Sequence, residues 1–119
     1  MKYFRRLKIT KKTFELLCDL ARKKDTGTYR EEMSPIASRS EWGLILGKVN
    51  EFCYLNGWPL LGSLMVLKTT KVGGSLGTPS YGFEEMELVQ DLMQKAGITD
   101  IDVWIKREQQ RCFDFWENK

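Results

Sequence analysis

The sequence predicts a small α+β domain: a helical body with one β-hairpin. Three observations predict it. Apolar residues recur at helical spacing in four separate stretches. One short apolar run, Leu60 to Leu67, is bounded by Pro59 and Thr69 and is too short for an ordinary helix. A glycine-rich stretch follows it, Gly73-Gly74-Ser75-Leu76-Gly77-Thr78-Pro79-Ser80-Tyr81-Gly82. The 119 residues fit one domain, and 42% hydrophobic residues with 12% aromatics are enough for a core.

Residues 1–9 are basic, with Tyr3, Phe4, Leu7 and Ile9 interleaved, and read as an arm or an edge strand. Thr10 is placed to cap a helix whose buried face is Phe14, Leu17, Cys18 and Ala21, stopped at Asp25-Thr26-Gly27. Thr28 and Glu31 have capping-box spacing and open a short helix through Met33, broken at Ser34-Pro35. Ser38 and Glu41 repeat that spacing ahead of Trp42, Ile45, Leu46, Val49, Phe52 and Cys53, the strongest helical stripe. Gly57 and Pro59 end it.

The Leu60–Leu67 run then reads as a buried strand. With Val72 and Tyr81–Phe83 flanking the glycines, residues 73–82 read as the tip of a hairpin. Met86, Val89, Met93 and Ala96 mark a helix ended by Gly97. Thr99 or Asp100 caps the last helix, whose stripe is Ile101, Trp104, Ile105, Cys112, Phe115 and Trp116. No interdomain linker interrupts residues 1–119. Helices followed by a hairpin is the element order of a winged helix, so the expected fold is winged-helix-like.

Composition narrows the chemistry. There is no histidine, which removes Ser-His and Cys-His nucleophiles and His-ligated metals. Cys18, Cys53 and Cys112 are far apart and odd in number, so neither a disulfide framework nor a metal site is expected and a reducing cytoplasm is the natural compartment. No apolar run approaches the roughly 20 residues that span a bilayer. No membrane contact, cofactor, metal or catalytic residue set is expected. The glycine-rich stretch lacks the Lys-Ser/Thr pair of a phosphate-binding loop and runs instead into Glu84-Glu85.

Charge is asymmetric. Residues 1–30 hold ten Lys/Arg against three Asp/Glu, and residues 84–119 hold five against nine. The basic front points to nucleic acid, with Lys2, Arg5, Arg6, Lys8, Lys11 and Lys12 as phosphate contacts. It also permits pairing with the acidic tail. Arg39, at the start of the main helix, is suited to base readout, and Lys68 and Lys71 flank the glycine-rich wing. The tail carboxylates, Glu108 among them, read as a solvated face. Phe113, beside Phe115 and Trp116, lies off the last helix's stripe and suggests a partner or homodimer surface, with Tyr81 a further contact.

Two resemblances sit on these residues. The run Trp42 to Val49, Cys53, Gly57, Pro59-Leu60-Leu61, Leu64 to Leu67 and Gly77-Thr78-Pro79-Ser80-Tyr81-Gly82-Phe83, with Trp104 to Glu108, Arg111, Phe113, Asp114 and Trp116, resembles a family of small uncharacterised bacterial and phage proteins. It implies a mobile-element context rather than an activity. Thr28 to Met33, followed by the Gly43-Leu44-Ile45-Leu46-Gly47 helix, is similar to the helix-turn-helix part of alkyltransferase-like DNA-binding domains. Those carry Pro-Cys-His-Arg where this chain has Pro59-Leu60-Leu61-Gly62, so alkyl transfer is not implied. The expectation is a non-enzymatic binding protein that contacts nucleic acid. The alternatives are a protein-binding inhibitor of a host nucleic-acid-handling defence enzyme and a histidine-independent enzyme using carboxylates with Tyr81 or Lys71.

Overall fold

Three helices, from the front, the middle and the end of the chain, pack around a short irregular apolar segment. The computed structural model describes residues 2–119, and the side chains of all of these except Lys2, Tyr3, Phe4 and Tyr81. In chain order the elements are α1 (Lys2–Arg22), β1 (Gly27–Thr28), a π-helical turn (Tyr29–Met33), α2 (Arg39–Leu55), a 3-10 turn (Leu61–Leu64), β2 (Met65–Val66), α3 (Tyr81–Glu84), α4 (Glu87–Ala96) and α5 (Ile101–Trp116). No helix among the described residues is long and apolar enough to cross a membrane.

The local signals act where the sequence places them. Thr28 Oγ1 accepts the N–H of Glu31 and opens the π-helical turn. Ahead of α2, Glu41 Oε1 accepts from the Ser38 N–H at 3.3 Å and its hydroxyl at 2.8 Å. Asp100 accepts from Asp102 and Val103 and starts α5, while Gly97, left-handed at φ 70°, ends α4.

The front of the chain differs from expectation. Residues 2–9 are neither an arm nor an edge strand. They are the first turns of α1, which passes through Thr10 without a break. Thr10 Oγ1 bonds back to the Arg6 carbonyl and does not cap. Leu17, Cys18 and Ala21 enter the core as the spacing predicts.

The hairpin does not form either. The Leu60–Val66 run is buried, with Leu60, Leu61, Leu64, Met65 and Val66 at 0% exposure. However, it makes a 3-10 turn and a two-residue strand that pairs with β1 in parallel, Gly27 opposite Met65 and Thr28 opposite Val66. Side chains take the place of a sheet ladder. Asn50 Oδ1 accepts the Gly62 N–H at 2.8 Å, and Glu108 Oε2 accepts the Leu60 N–H at 2.8 Å. Gln109 Nε2 donates to Ser63 O, and the Cys112 thiol donates to Leu60 O. Buried backbone groups need partners of some kind, and here α2 and α5 supply them. Glu108 is therefore a core residue, 1% exposed, and not part of a solvated acidic face.

Candidate functional site

The turn at residues 34–38, between the π-helical turn and α2, separates two surface grooves. On one side lies α1, whose Arg5, Lys8, Lys11 and Lys12, with one carboxylate, Glu15, line a groove closed by Pro35 and Ile36. Arg5 is tied to Glu41 by a forked ion pair, which docks the start of α1 on the start of α2. Among the described residues no carboxylate pairs with Arg6, Lys8, Lys11 or Lys12. One ion pair, Lys24–Glu117 at 3.4 Å, joins the basic front to the acidic tail. Among the described residues, the charge pairing that the asymmetry permits is therefore little used.

These cations stand against the local preferences of a helix. α1 has no acid in its first turn, and positive charge at a helix N-terminus opposes the macrodipole. Arg5–Lys8, Lys8–Lys11 and Lys8–Lys12 are like-charge neighbours at i,i+3 or i,i+4, each unfavourable by about 0.2–0.5 kcal/mol. An anion bound along this face relieves both effects.

The second groove, on the other side of the same turn, is lined by Arg30, Ser34, Ser38, Arg39, Lys68 and Thr69 around Tyr29 and Trp42. Tyr29 and Trp42 stack with ring centroids 6.0 Å apart and planes 24° apart. Trp42 Nε1 donates to Ala37 O at 3.0 Å, and Tyr29 OH accepts the Ser80 N–H at 3.0 Å, so both rings are held in orientation. The same pair, with Arg39, borders a cavity of about 380 Å³ between α2 and the 80–86 segment. Its floor is the Gly43 and Gly47 face of α2. Each of these mid-helix glycines costs about 1 kcal/mol relative to alanine.

The structure thus brings Arg39 and Lys68 to one groove, and Arg5, Lys8, Lys11 and Lys12 to its neighbour. Other expected site residues are placed elsewhere. Lys71 is not free at a wing: its Nζ donates to Asp25 Oδ1 at 3.1 Å and to Thr26 O. Phe113 and Trp116 are buried, 3% and 5% exposed; α1 packs on α5, and Trp116 joins an aromatic cluster with Phe14, Trp58 and Phe115. That burial takes Phe113 and Trp116 off the surface, while Phe115 between them stays half-buried. Lys2 and Tyr81 have side chains outside the described residues.

In the glycine-rich loop the exposed stretch at the tip runs from Val72 to Leu76, Gly77 to Ser80 are buried or half-buried, and Gly82 is exposed again. Below the tip, Gly77 O accepts from Gln109 at 3.1 Å, Leu67 N–H donates to Thr78 O, and Thr26 Oγ1 donates to Leu76 O. The cysteines are shielded. Burial pushes the Cys18 and Cys53 thiols up to about 11 and Cys112 higher still, so none is a ready thiolate.

The sequence reading missed Tyr29, Arg30, Trp42 and Asn50. Trp42 falls on the apolar stripe of α2 and was assigned to the core. The available signal was the pair Gly43 and Gly47, one helical turn apart, which marks a helix face carrying no side chains. Comparison with protein-family models, with curated proteins and with solved structures found no match to this chain.

Proposed function

We propose that this chain is a non-enzymatic binding protein of the phage or mobile-element type that contacts nucleic acid. The observation that carries the reading is the pairing of two grooves across one turn. One is lined by the α1 lysines and the other by Arg30, Arg39 and Lys68 around a stacked aromatic pair. A phosphate backbone meets the first and bases meet the second, the division of labour expected where cations position a strand and aromatic faces hold its bases. The charges crowded at the start of α1 support the reading, since a polyanion is the partner that relieves them. The shielded thiols fit a role without nucleophilic chemistry. A winged-helix-like docking belongs to the same reading: α2 would present Arg39 at its N-terminus, and the 67–80 loop would stand where a wing stands, with Lys68 as its cation. The similarity of the Thr28–Gly47 region to the helix-turn-helix part of alkyltransferase-like domains points the same way.

The test is salt-dependent binding of a labelled oligonucleotide, followed by anisotropy. The protein is expected to bind with an affinity that falls steeply with salt. Replacing Lys8, Lys11 and Lys12 with Ala should reduce the slope of log K against log[salt] by about one per lysine. These side chains are exposed, so the fold should be unaffected. Failure to bind any strand or duplex at about 50 mM salt overturns the reading, and so does an unchanged slope in the triple variant.

A further inference from the structure

We infer that the cavity between α2 and the 80–86 segment receives one unstacked nucleobase, with its phosphate at Arg39. The inference rests on the nucleic-acid reading and names the part of a nucleic acid that this site takes. A mid-helix glycine usually lets another chain segment approach closely. At Gly43 and Gly47 nothing does: a Cβ built on either meets no atom within 4 Å. The two glycines therefore serve no packing contact, and what they create is the empty floor of the cavity.

A second, independent feature is Asn50. It is 1% exposed and lines this cavity. Its Oδ1 is fixed by the Gly62 N–H, so the orientation of the amide is decided and Nδ2 is the remaining group. Nδ2 carries two N–H donors, and its one partner among the described residues is the Met86 thioether at 3.6 Å, a weak acceptor. Nδ2 is thus held only by a weak acceptor, which a stronger acceptor atom on an occupant's edge would displace. The walls complete the description. Trp42 offers an aromatic surface whose orientation is fixed, and Arg39 lies at the junction of this cavity with the cationic groove. A planar heteroaromatic ring with acceptor atoms on its edge and an anion attached matches all three features. Such a group comes either from an unpaired position in a strand or from a free mononucleotide.

The variant Gly47→Leu tests this, because the added side chain fills the cavity while the helix loses a glycine. Wild-type protein should bind a single-stranded oligonucleotide about tenfold more tightly than a blunt duplex of equal length, as expected for a base stacked on an aromatic ring. Gly47→Leu should erase that preference, so that single strand and duplex bind alike. Gly47→Ala, a smaller filling that tests the same space, should reduce it. A saturable quench of tryptophan fluorescence by the four nucleoside 5′-monophosphates, lost in both Trp42→Phe and Gly47→Leu, identifies free nucleotide as a ligand. Strand preference without that quench identifies the unpaired position of a strand. If wild-type protein binds duplex with steep salt dependence but shows neither preference nor quench, or if Gly47→Leu retains both, the cavity inference falls while the nucleic-acid reading stands. If no nucleic acid binds at all, the reading fails, and the inference fails with it.

Discussion

Arg5 holds Glu41 in a fork, with Nη1 to Oε2 at 2.6 Å and Nη2 to Oε1 at 3.2 Å. The same carboxylate accepts from Ser38, so one side chain closes the turn before α2 and moors the basic end of α1. The Arg5 hydrogen bond first, and those from Ser38 after it, lower the Glu41 carboxyl from 4.5 to about 2. A depressed carboxylate contributes stability that is full above its ordinary value and lost as pH falls through the depressed one. The mooring should therefore hold at neutral pH and release between about 4.5 and about 2. A carboxyl-detected NMR titration should place Glu41 near the lower value, and Arg5→Ala should raise its midpoint. An ordinary midpoint in the wild type would remove the fork.

Gly77 should be the least replaceable glycine of the 73–82 loop. Its φ is +86°, and a Cβ there would lie 2.9 Å from Val66 Cγ2 and 3.1 Å from both Lys71 Cβ and Thr70 Oγ1. Gly74 has nearly the same φ, +85°, but open space around it. Gly77→Ala pays for strain and overlap together, about 2–4 kcal/mol, whereas Gly74→Ala meets strain alone, about 1–2 kcal/mol. Urea denaturation of the two variants measures the difference. Equal losses would mean that the loop does not pack on β2.

The elements visible in the sequence are those with local causes. The main helix was readable from Ser38, Glu41 and Gly57, and the last from Asp100, because a cap or stop acts within a few residues. The first turns of α1 were not, since six cations in twelve residues follow no apolar period. Their one long-range tie among the described residues is Arg5 to Glu41, 36 positions away. The hairpin was misread for a similar reason. The burial of Leu60–Val66 follows from its residue types, but its backbone partners Glu108 and Gln109 lie on α5, where sequence spacing gave them no such role. At the site, Arg39 and Lys68 were named by charge and do share a groove. The aromatic half was hidden because Trp42 obeys the core period while being only half-buried.

Glu108 gives a direct measure of how much those long-range partners matter. Its Oε2 holds the buried Leu60 N–H and its Oε1 accepts from Arg111 at 2.7 Å. Glu108→Ala leaves Leu60 without an acceptor and should cost about 2–4 kcal/mol, whereas Arg111, partly exposed, rehydrates. Glu108→Gln keeps one oxygen for Leu60 and should lose about 1 kcal/mol. Thermal or urea unfolding separates the two variants. If both cost the same small amount, the 3-10 turn does not depend on this carboxylate.

The cysteines provide a probe of the core that needs no substitution. Burial holds the Cys18 and Cys53 thiols at about 11, and Cys112, which donates to Leu60 O at 3.4 Å, higher. For a thiol raised in this way, the stabilisation from staying neutral is full below the ordinary value of 9 and fades as pH rises through about 11. At pH 8 almost no thiolate is present in the folded chain, and alkylation requires opening. Cys53 and Cys112, both at 0% exposure, sit where α2 and α5 meet the 3-10 turn, so iodoacetamide should modify them together at the rate of global unfolding. Cys18, 4% exposed and bordering a groove with Phe14 and Trp58, should react earlier through local opening of α1. Mass spectrometry of timed quenches reads the order directly. Labelling of Cys112 ahead of Cys18 would show that α5, and not α1, is the element that opens first.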